Sequence, residues 1–207
     1  MKYYLAAALA MVACAPAHAE VFNGGHIGIQ AGAESNRIDS EAAFAGQGLG
    51  SVAVDKKSQT AATIGITLGY DSVIGDSFVL GGEIAGTFST GGNRQTLLFS
   101  SAPTSPVNIN YKSEFTLEAT LRAGFLVGHN TLLYARAGYA NSKLKSDASS
   151  GGVSLGNISG NNNGIVFGGG VEHALSEKIS ARLEYKHFEM KGPVTREQVI
   201  VGVGYSF

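Results

Sequence analysis

Seven charged residues recur on the polar side of stretches in which apolar and polar residues alternate. They are Glu83, Glu118, Arg122, Arg136, Glu172, Arg182 and Glu184. Carboxylates and guanidinium groups confined together should form ion pairs, because an unpaired charge is costly to bury. We therefore expect the arginines to pair with Glu83, Glu118 and Glu184. The pairs would form either a structural network or the lining of a narrow pore that selects ions.

An enzymatic alternative centres on His187, which has Glu184, Lys186 and Glu189 close by in the sequence. A serine nucleophile needs its base within hydrogen-bond reach. No serine lies at short spacing around His187, so we interpret it as an interfacial or loop histidine and expect no catalytic residue. Three further histidines show no metal-ligand spacing, so neither a metal nor a cofactor is expected: His26, His129 and His173.

The elements that must position these residues are eight stretches with an apolar residue at every second position, which is the strand signature. The clearest stretch has Phe115, Leu117 and Leu121 on one face and Glu118 and Arg122 on the other. The eight stretches lie at about 26–34, 62–70, 78–89, 114–125, 133–140, 165–172, 179–186 and 199–207. No stretch has a convincing helical period, so the sequence predicts an all-β fold.

Residues 1–19 form the pattern of a secretory signal peptide. A positive charge at Lys2 precedes an apolar run that ends in the small-x-small site Ala17-His18-Ala19. A membrane anchor would need roughly 20 apolar residues, more than are present before Pro16. The sequence up to Cys14 also loosely resembles a lipoprotein processing box. We predict that the mature chain is a single domain spanning residues 20–207.

Removal of the signal peptide would take away the only cysteine, so the mature chain would lack an intrachain disulfide. It would also remove Lys2 from the 15 lysines and arginines, leaving 14 basic residues against 16 acidic ones. A nucleic-acid-binding protein would show a basic patch, so this near balance argues against that class.

The connections between the stretches favour a transmembrane β-barrel over a soluble sandwich. Short connections are predicted near 71–77, 127–130 and 173–177, and long ones near 35–59, 90–110 and 145–163. Only the connection near 189–194 breaks this alternation. Short periplasmic turns opposite long extracellular loops are typical of outer-membrane barrels. The glycine and threonine on the polar faces also suit a crowded interior better than a solvated surface.

A barrel orientation places the aliphatic faces against lipid and the charged faces in the lumen. The exposed aromatic residues then cluster near the strand ends, as in the interfacial girdles of such barrels: Tyr70, Phe78, Phe88, Tyr111, Phe125, Tyr139 and Tyr205. About eight strands leave an interior just wide enough for side chains to fill, which favours the structural network over the pore.

The last strand, with Val203, Tyr205 and Phe207 at alternating positions, resembles the C-terminal signal of bacterial outer-membrane proteins. The segments 133–139 and 168–185 resemble strands of the porin-family proteins of alphaproteobacteria, an OmpA-like and opacity-type group of eight-stranded barrels in the Gram-negative cell envelope. The resemblance implies recognition of the final strand by the barrel-assembly machinery. The chain departs from this family in lacking tryptophan and an aromatic cluster in its first strand.

The resemblance and the residues together predict a non-enzymatic outer-membrane protein. It would contribute to envelope integrity and present loops for adhesion or environmental contact, with a narrow small-solute porin as the alternative. Expected partners are outer-membrane lipids, lipopolysaccharide and a host or surface ligand, and the protein is expected to be a monomer that binds no nucleic acid. The first long loop carries Phe44, Val52, Val54, Lys56 and Lys57, which suit such contacts.

Overall fold

A computed structural model places every described strand in one antiparallel sheet. The structure describes residues 19–38, 52–54, 60–90, 92–99, 107–128, 130–150, 153–191 and 194–207. The strands are β1 Gly24–Ile38, β2 Val52–Val54, β3 Thr60–Ile74, β4 Phe78–Ser89, β5 Gly92–Phe99, β6 Val107–Val127, β7 Thr131–Ser150, β8 Val153–Ala174, β9 Ile179–Met190 and β10 Val194–Ser206. A 3-10 helix, Ala19–Phe22, precedes β1. Among these residues, no helix has the length and apolar character needed to cross a membrane.

Eight of the strands close into a barrel. Their order is β6-β4-β3-β1-β10-β9-β8-β7, and β7 pairs back with β6. The first and last strands meet along their whole length, from His26 opposite Ser206 to Ile38 opposite Val194. Closure gives the backbone groups along the barrel wall a partner on both sides and removes the edges of the sheet. The predicted eight-stranded antiparallel barrel is thereby confirmed.

Alternation along each strand separates an apolar outer belt from a polar lumen, because successive side chains in a strand point to opposite faces. In β9, Ser180, Arg182 and Glu184 are buried while Leu183 and Tyr185 are exposed. The outer belt carries the predicted aromatic residues Tyr70, Phe88, Phe125, Tyr139 and Tyr205. Phe78 is half-buried against Phe125, with ring centroids 5.2 Å apart, and the side chain of Tyr111 lies outside the described residues.

Connections of three or four residues follow Ile74, Val127 and Ala174 at one end of the barrel, which we call the turn end. At the opposite end, the predicted long loops are partly wrong. The regions 35–59 and 90–110 contain β2 and β5, respectively. Within the region 145–163, β7 and β8 remain paired up to Ser150 opposite Val153, with a register shift between Ala148 and Ser149.

The barrel rim is therefore uneven. Strands β6, β7 and β8 have 21, 20 and 22 residues, whereas β9 and β10 have 12 and 13. The long strands continue the same sheet past the rim, where β5 pairs with β6 and β2 pairs with β5. We call this projecting part of the sheet the tall wall: β2, β5, and residues 107–113, 144–150 and 153–163 of the three long strands.

Candidate functional site

The centre of the lumen is organised around the Glu83 carboxylate on β4. One oxygen accepts a hydrogen bond from Arg136 Nη2 at 2.8 Å, and the other accepts one from Arg182 Nη1 at 2.6 Å. His26 Nε2 lies 3.4 Å from the same carboxylate. Arg136 also reaches both oxygens of Glu184 at 2.8 Å. Strands on opposite sides of the barrel are thus joined through one carboxylate.

A second group of ion pairs lies nearer the turn end and is centred on Arg122. Its guanidinium donates to both oxygens of Asp71, with Nε at 2.8 Å from Oδ1, and to Glu172 at 2.9 Å. Glu172 also accepts from the Ser180 hydroxyl at 2.6 Å. The sequence did not single out Asp71, because that residue falls in the predicted turn after Tyr70, whereas β3 continues to Ile74.

The pairing predicted for Glu118 is wrong: its partner is Lys186 Nζ at 3.0 Å, not an arginine. Arg122, in turn, pairs with Asp71 and Glu172 rather than with the carboxylates predicted for it. Lys186 is fully buried and lies 3.5 Å from Glu184, so it links Glu118 to the central group. In the sequence, Lys186 was noted only as a neighbour of His187 and was given no partner.

Small residues let these long side chains lie across neighbouring strands. A Cβ atom at Gly81 would collide with the Asp71 carboxylate, and one at Gly69 would collide with the His26 ring. The glycine content of the inward faces is therefore a packing requirement of the network.

Apolar clusters lie towards both ends of the lumen. At the turn end, Val21 and Phe22 of the 3-10 helix fold into the barrel mouth, where Phe22 is 0% exposed. They pack with Val79, Leu132, Tyr134 and Ala174. The Ser206 hydroxyl donates to the Val21 carbonyl at 2.8 Å and holds the helix in place. At the rim end, the cluster consists of Ala140, Val166, Phe188 and Met190.

The apolar plug at the turn end should contribute measurably to stability. We expect Phe22→Ala to lower the free energy of unfolding by about 3 kcal/mol, because it leaves a cavity among buried side chains. Urea unfolding in lipid vesicles, followed by heat-modifiable electrophoretic mobility, measures this change. Leu175→Ala, at an exposed position at the same end, is the control and should have little effect. Equal losses for the two variants would show that Phe22 is not a core residue.

His187 has no serine beside it in the sheet. Its cross-strand neighbours are Phe167 on β8 and Glu197 on β10, and its ring packs against Phe167 with centroids 4.8 Å apart. Ser35 pairs with Glu197, so it lies one strand further away. Two strand spacings are roughly 10 Å, beyond the reach of a general base.

His173 contacts the Thr131 hydroxyl at 2.9 Å, and His129 lies outside the described residues. Within the described part of the chain, no group of three or more potential ligands could hold a metal ion.

Comparison with known proteins identifies the family. A family model described as "Outer membrane protein beta-barrel domain" matches residues 5–207. The chain belongs to the outer membrane protein β-barrel family. A comparison with curated protein sequences finds no match.

Solved structures of outer-membrane barrels share this fold. OprG of Pseudomonas aeruginosa has a TM-score of 0.53 at 13% identity, over 91% of this chain and 98% of that one. Ail, the attachment invasion locus protein of Yersinia pestis, has a TM-score of 0.51 at 17% identity, over 89% and 99%. Neisserial surface protein A has a TM-score of 0.50 at 14% identity, over 89% and 98%. Membership of the outer membrane protein β-barrel family implies that the protein lies in the outer membrane.

Family membership gives the barrel its orientation, since short turns face the periplasm in outer-membrane barrels. The rim and the tall wall then lie on the extracellular side.

Val203 and Tyr205 lie on the outer belt of β10, and Phe207 follows at the periplasmic end with 71% of its surface exposed. Of the predicted signal peptide, residues 1–19, the first 18 residues including Cys14 lie outside the described part of the chain, and Ala19 begins the 3-10 helix.

Proposed function

We propose that the protein is a non-conducting, non-enzymatic barrel that strengthens the outer membrane and holds the tall wall at the cell surface. The observation that carries the proposal is the filled lumen. Its ion-paired side chains are at most 9% exposed, and apolar clusters occupy both ends. A lumen of this kind braces the wall of the barrel and leaves little room for solute.

The alternative, a narrow porin, would use the same charges to select ions. An eight-stranded barrel has an interior that side chains can fill completely. In this chain the central arginines each contact carboxylates on other strands, so an ion could pass only by displacing several buried pairs. The geometry therefore supports the bracing role of the charges.

Surface contact is supported by the length of the three tall strands. About 9–11 residues suffice to cross the membrane, so roughly half of β6, β7 and β8 extends beyond it. Loops and extensions on a rigid scaffold are common sites of binding. Ail, a protein named for attachment and invasion, has the same fold. Of the predicted contact residues, Val52 and Val54 lie in β2, whereas Phe44, Lys56 and Lys57 lie outside the described residues.

The absence of a serine within reach of His187 in the sheet supports a role without catalysis. The same face of the barrel carries Tyr185 and Glu189, and both are compatible with the boundary between lipid and water. We propose that His187 and its neighbours contact lipid or lipopolysaccharide head groups.

The proposal predicts that the purified, refolded protein produces no current steps in planar lipid bilayers. An open porin inserted into the same bilayers serves as the positive control. Electrophoretic mobility before and after heating verifies that the tested sample is folded. Reproducible unit conductance with a preference for cations or anions would overturn the closed-lumen proposal and support the porin.

A further inference from the structure

Strand β8 has an open edge above the barrel rim. It pairs with β7 along its whole length, from His173 opposite Thr131 to Val153 opposite Ser150. Its pairing with β9 covers only Gly164 to Ala174. Within the described part of the chain, the segment Val153–Asn162 is therefore paired on one side only.

The backbone groups that face the open side can be identified. Lys191 N–H donates to the Asn163 carbonyl at 2.8 Å, so the N–H and C=O of Asn163 point away from β7. Both groups of a residue point to the same side of an antiparallel strand, and the side alternates along the chain. Asn161, Ser159 and Asn157 therefore direct their N–H and C=O groups to the open edge. The regular edge ends at Gly156, which has φ = 133° next to a register shift.

This edge lacks the features that usually prevent strand pairing. Proteins protect their edges with lysine or other charges, with proline, or by keeping the edge strand very short. The segment from Gly156 to Asn163 contains no charged residue and no proline. The opposite edge of the tall wall is β2, which is only three residues long. The two edges of the same sheet thus differ in their capacity to pair.

We propose that the β8 edge from Asn157 to Asn161 binds an extended segment of another protein by strand addition, as a deepening of the proposed surface-contact function. Backbone hydrogen bonds would supply most of the recognition. The exposed side chains along the edge are the small polar groups of Asn157, Ser159 and Asn161, so the partner strand needs no complementary charge. The edge therefore accepts uncharged extended peptides of varied sequence.

A second copy in the same membrane cannot occupy this edge. Barrel strands tilt by about 35–45° from the membrane normal. Two copies related by rotation about that normal would bring their β8 edges together at roughly twice the tilt, whereas a ladder requires nearly parallel or antiparallel strands. This geometry favours a flexible segment of a different protein.

Two substitutions at one position separate recognition of the backbone from recognition of the side chain. Ser159→Pro removes an N–H that faces the open edge and leaves the ladder to β7, because proline is tolerated where the N–H points to solvent. Ser159→Ala removes the hydroxyl and keeps the N–H. The probe is a fluorescein-labelled peptide without charged side chains, Ser-Thr-Val-Thr-Val-Thr-Ser, together with a twin methylated at the backbone nitrogens of its threonines and valines. Fluorescence anisotropy measures its binding to the full barrel in detergent.

We expect the wild-type barrel and Ser159→Ala to bind the peptide alike. Ser159→Pro should raise the dissociation constant at least about tenfold, and the methylated twin should not bind. Unchanged binding by Ser159→Pro, equal binding of the twin, or no binding by the wild-type barrel would each overturn strand addition. Conductance of the same preparations tests the closed lumen separately, so a conducting barrel that binds the peptide would overturn the proposed function and leave strand addition standing.

Discussion

Replacing Glu83 with glutamine should lower the free energy of unfolding by about 3–5 kcal/mol, the loss typical of breaking a buried ion pair by removing one partner. Glu83 accepts hydrogen bonds from both Arg136 and Arg182, and its side chain is 0% exposed. A neutral amide keeps the shape but offers only one acceptor oxygen. One buried guanidinium would therefore lose its counter-charge and part of its hydrogen bonding.

The chain has no tryptophan, so the measurement should use circular dichroism together with heat-modifiable mobility during urea unfolding in lipid vesicles. Glu177→Gln is the matched control, because this glutamate is exposed in the turn between β8 and β9. It should unfold like the wild type. A Glu83→Gln barrel as stable as this control would mean that the central ion pairs contribute nothing net and that the lumen is held by its apolar ends.

In the proposed closed lumen, bracing and conduction would exclude each other. The groups that join opposite walls, such as Glu83 and Arg182, occupy the space that an ion would need. Loss of one partner leaves a charge buried in place, because its long side chain is still confined by neighbouring strands. We therefore expect single substitutions in the lumen to weaken the fold before they create a pore.

The period-two pattern predicted which charged residues lie inside, because a strand sends alternate side chains to opposite faces. It did not predict their partners. The partner of Glu118 is Lys186 rather than an arginine. Such pairs form between residues that lie at the same level along the barrel axis on strands far apart in sequence. The tilt and stagger of the strands in a closed barrel determine which residues share a level. Alternation within one strand carries no information about it.

The tall wall was missed for a different reason. Its β7–β8 part is rich in serine, glycine and asparagine, residues that favour turns and loops. The structure pairs them because two long strands that leave the barrel in register can continue their ladder, which satisfies the backbone regardless of side chain. The asparagine side chains add their own contact, from Asn141 to Asn163. The amino-acid composition of this segment therefore predicted a loop, whereas the continued ladder between β7 and β8 makes the segment part of the sheet.

The last residue, Phe207, should matter more for assembly than for the stability of the finished barrel. Its ring packs against Gly25, where an added Cβ would come within 2.7 Å of the ring. Its backbone N–H donates a hydrogen bond to the Gly25 carbonyl at 3.0 Å. With 71% of the residue exposed, its packing should contribute well below the roughly 1.5–3 kcal/mol of a fully buried side chain. The remaining pairs between β1 and β10 still close the sheet.

We propose that the assembly machinery reads this terminal aromatic residue together with Tyr205 and Val203. Deletion of Phe207 should then reduce the folded, heat-modifiable barrel in cells several-fold, while the same protein refolds into lipid vesicles with nearly normal yield. Leu121→Ala is the control for losing an equally exposed apolar side chain, since Leu121 is also 71% exposed. It should leave both yields nearly unchanged. If deletion of Phe207 lowered the two yields equally, the residue would be an ordinary packing contact at the periplasmic rim, and recognition would have to depend on other positions of β10.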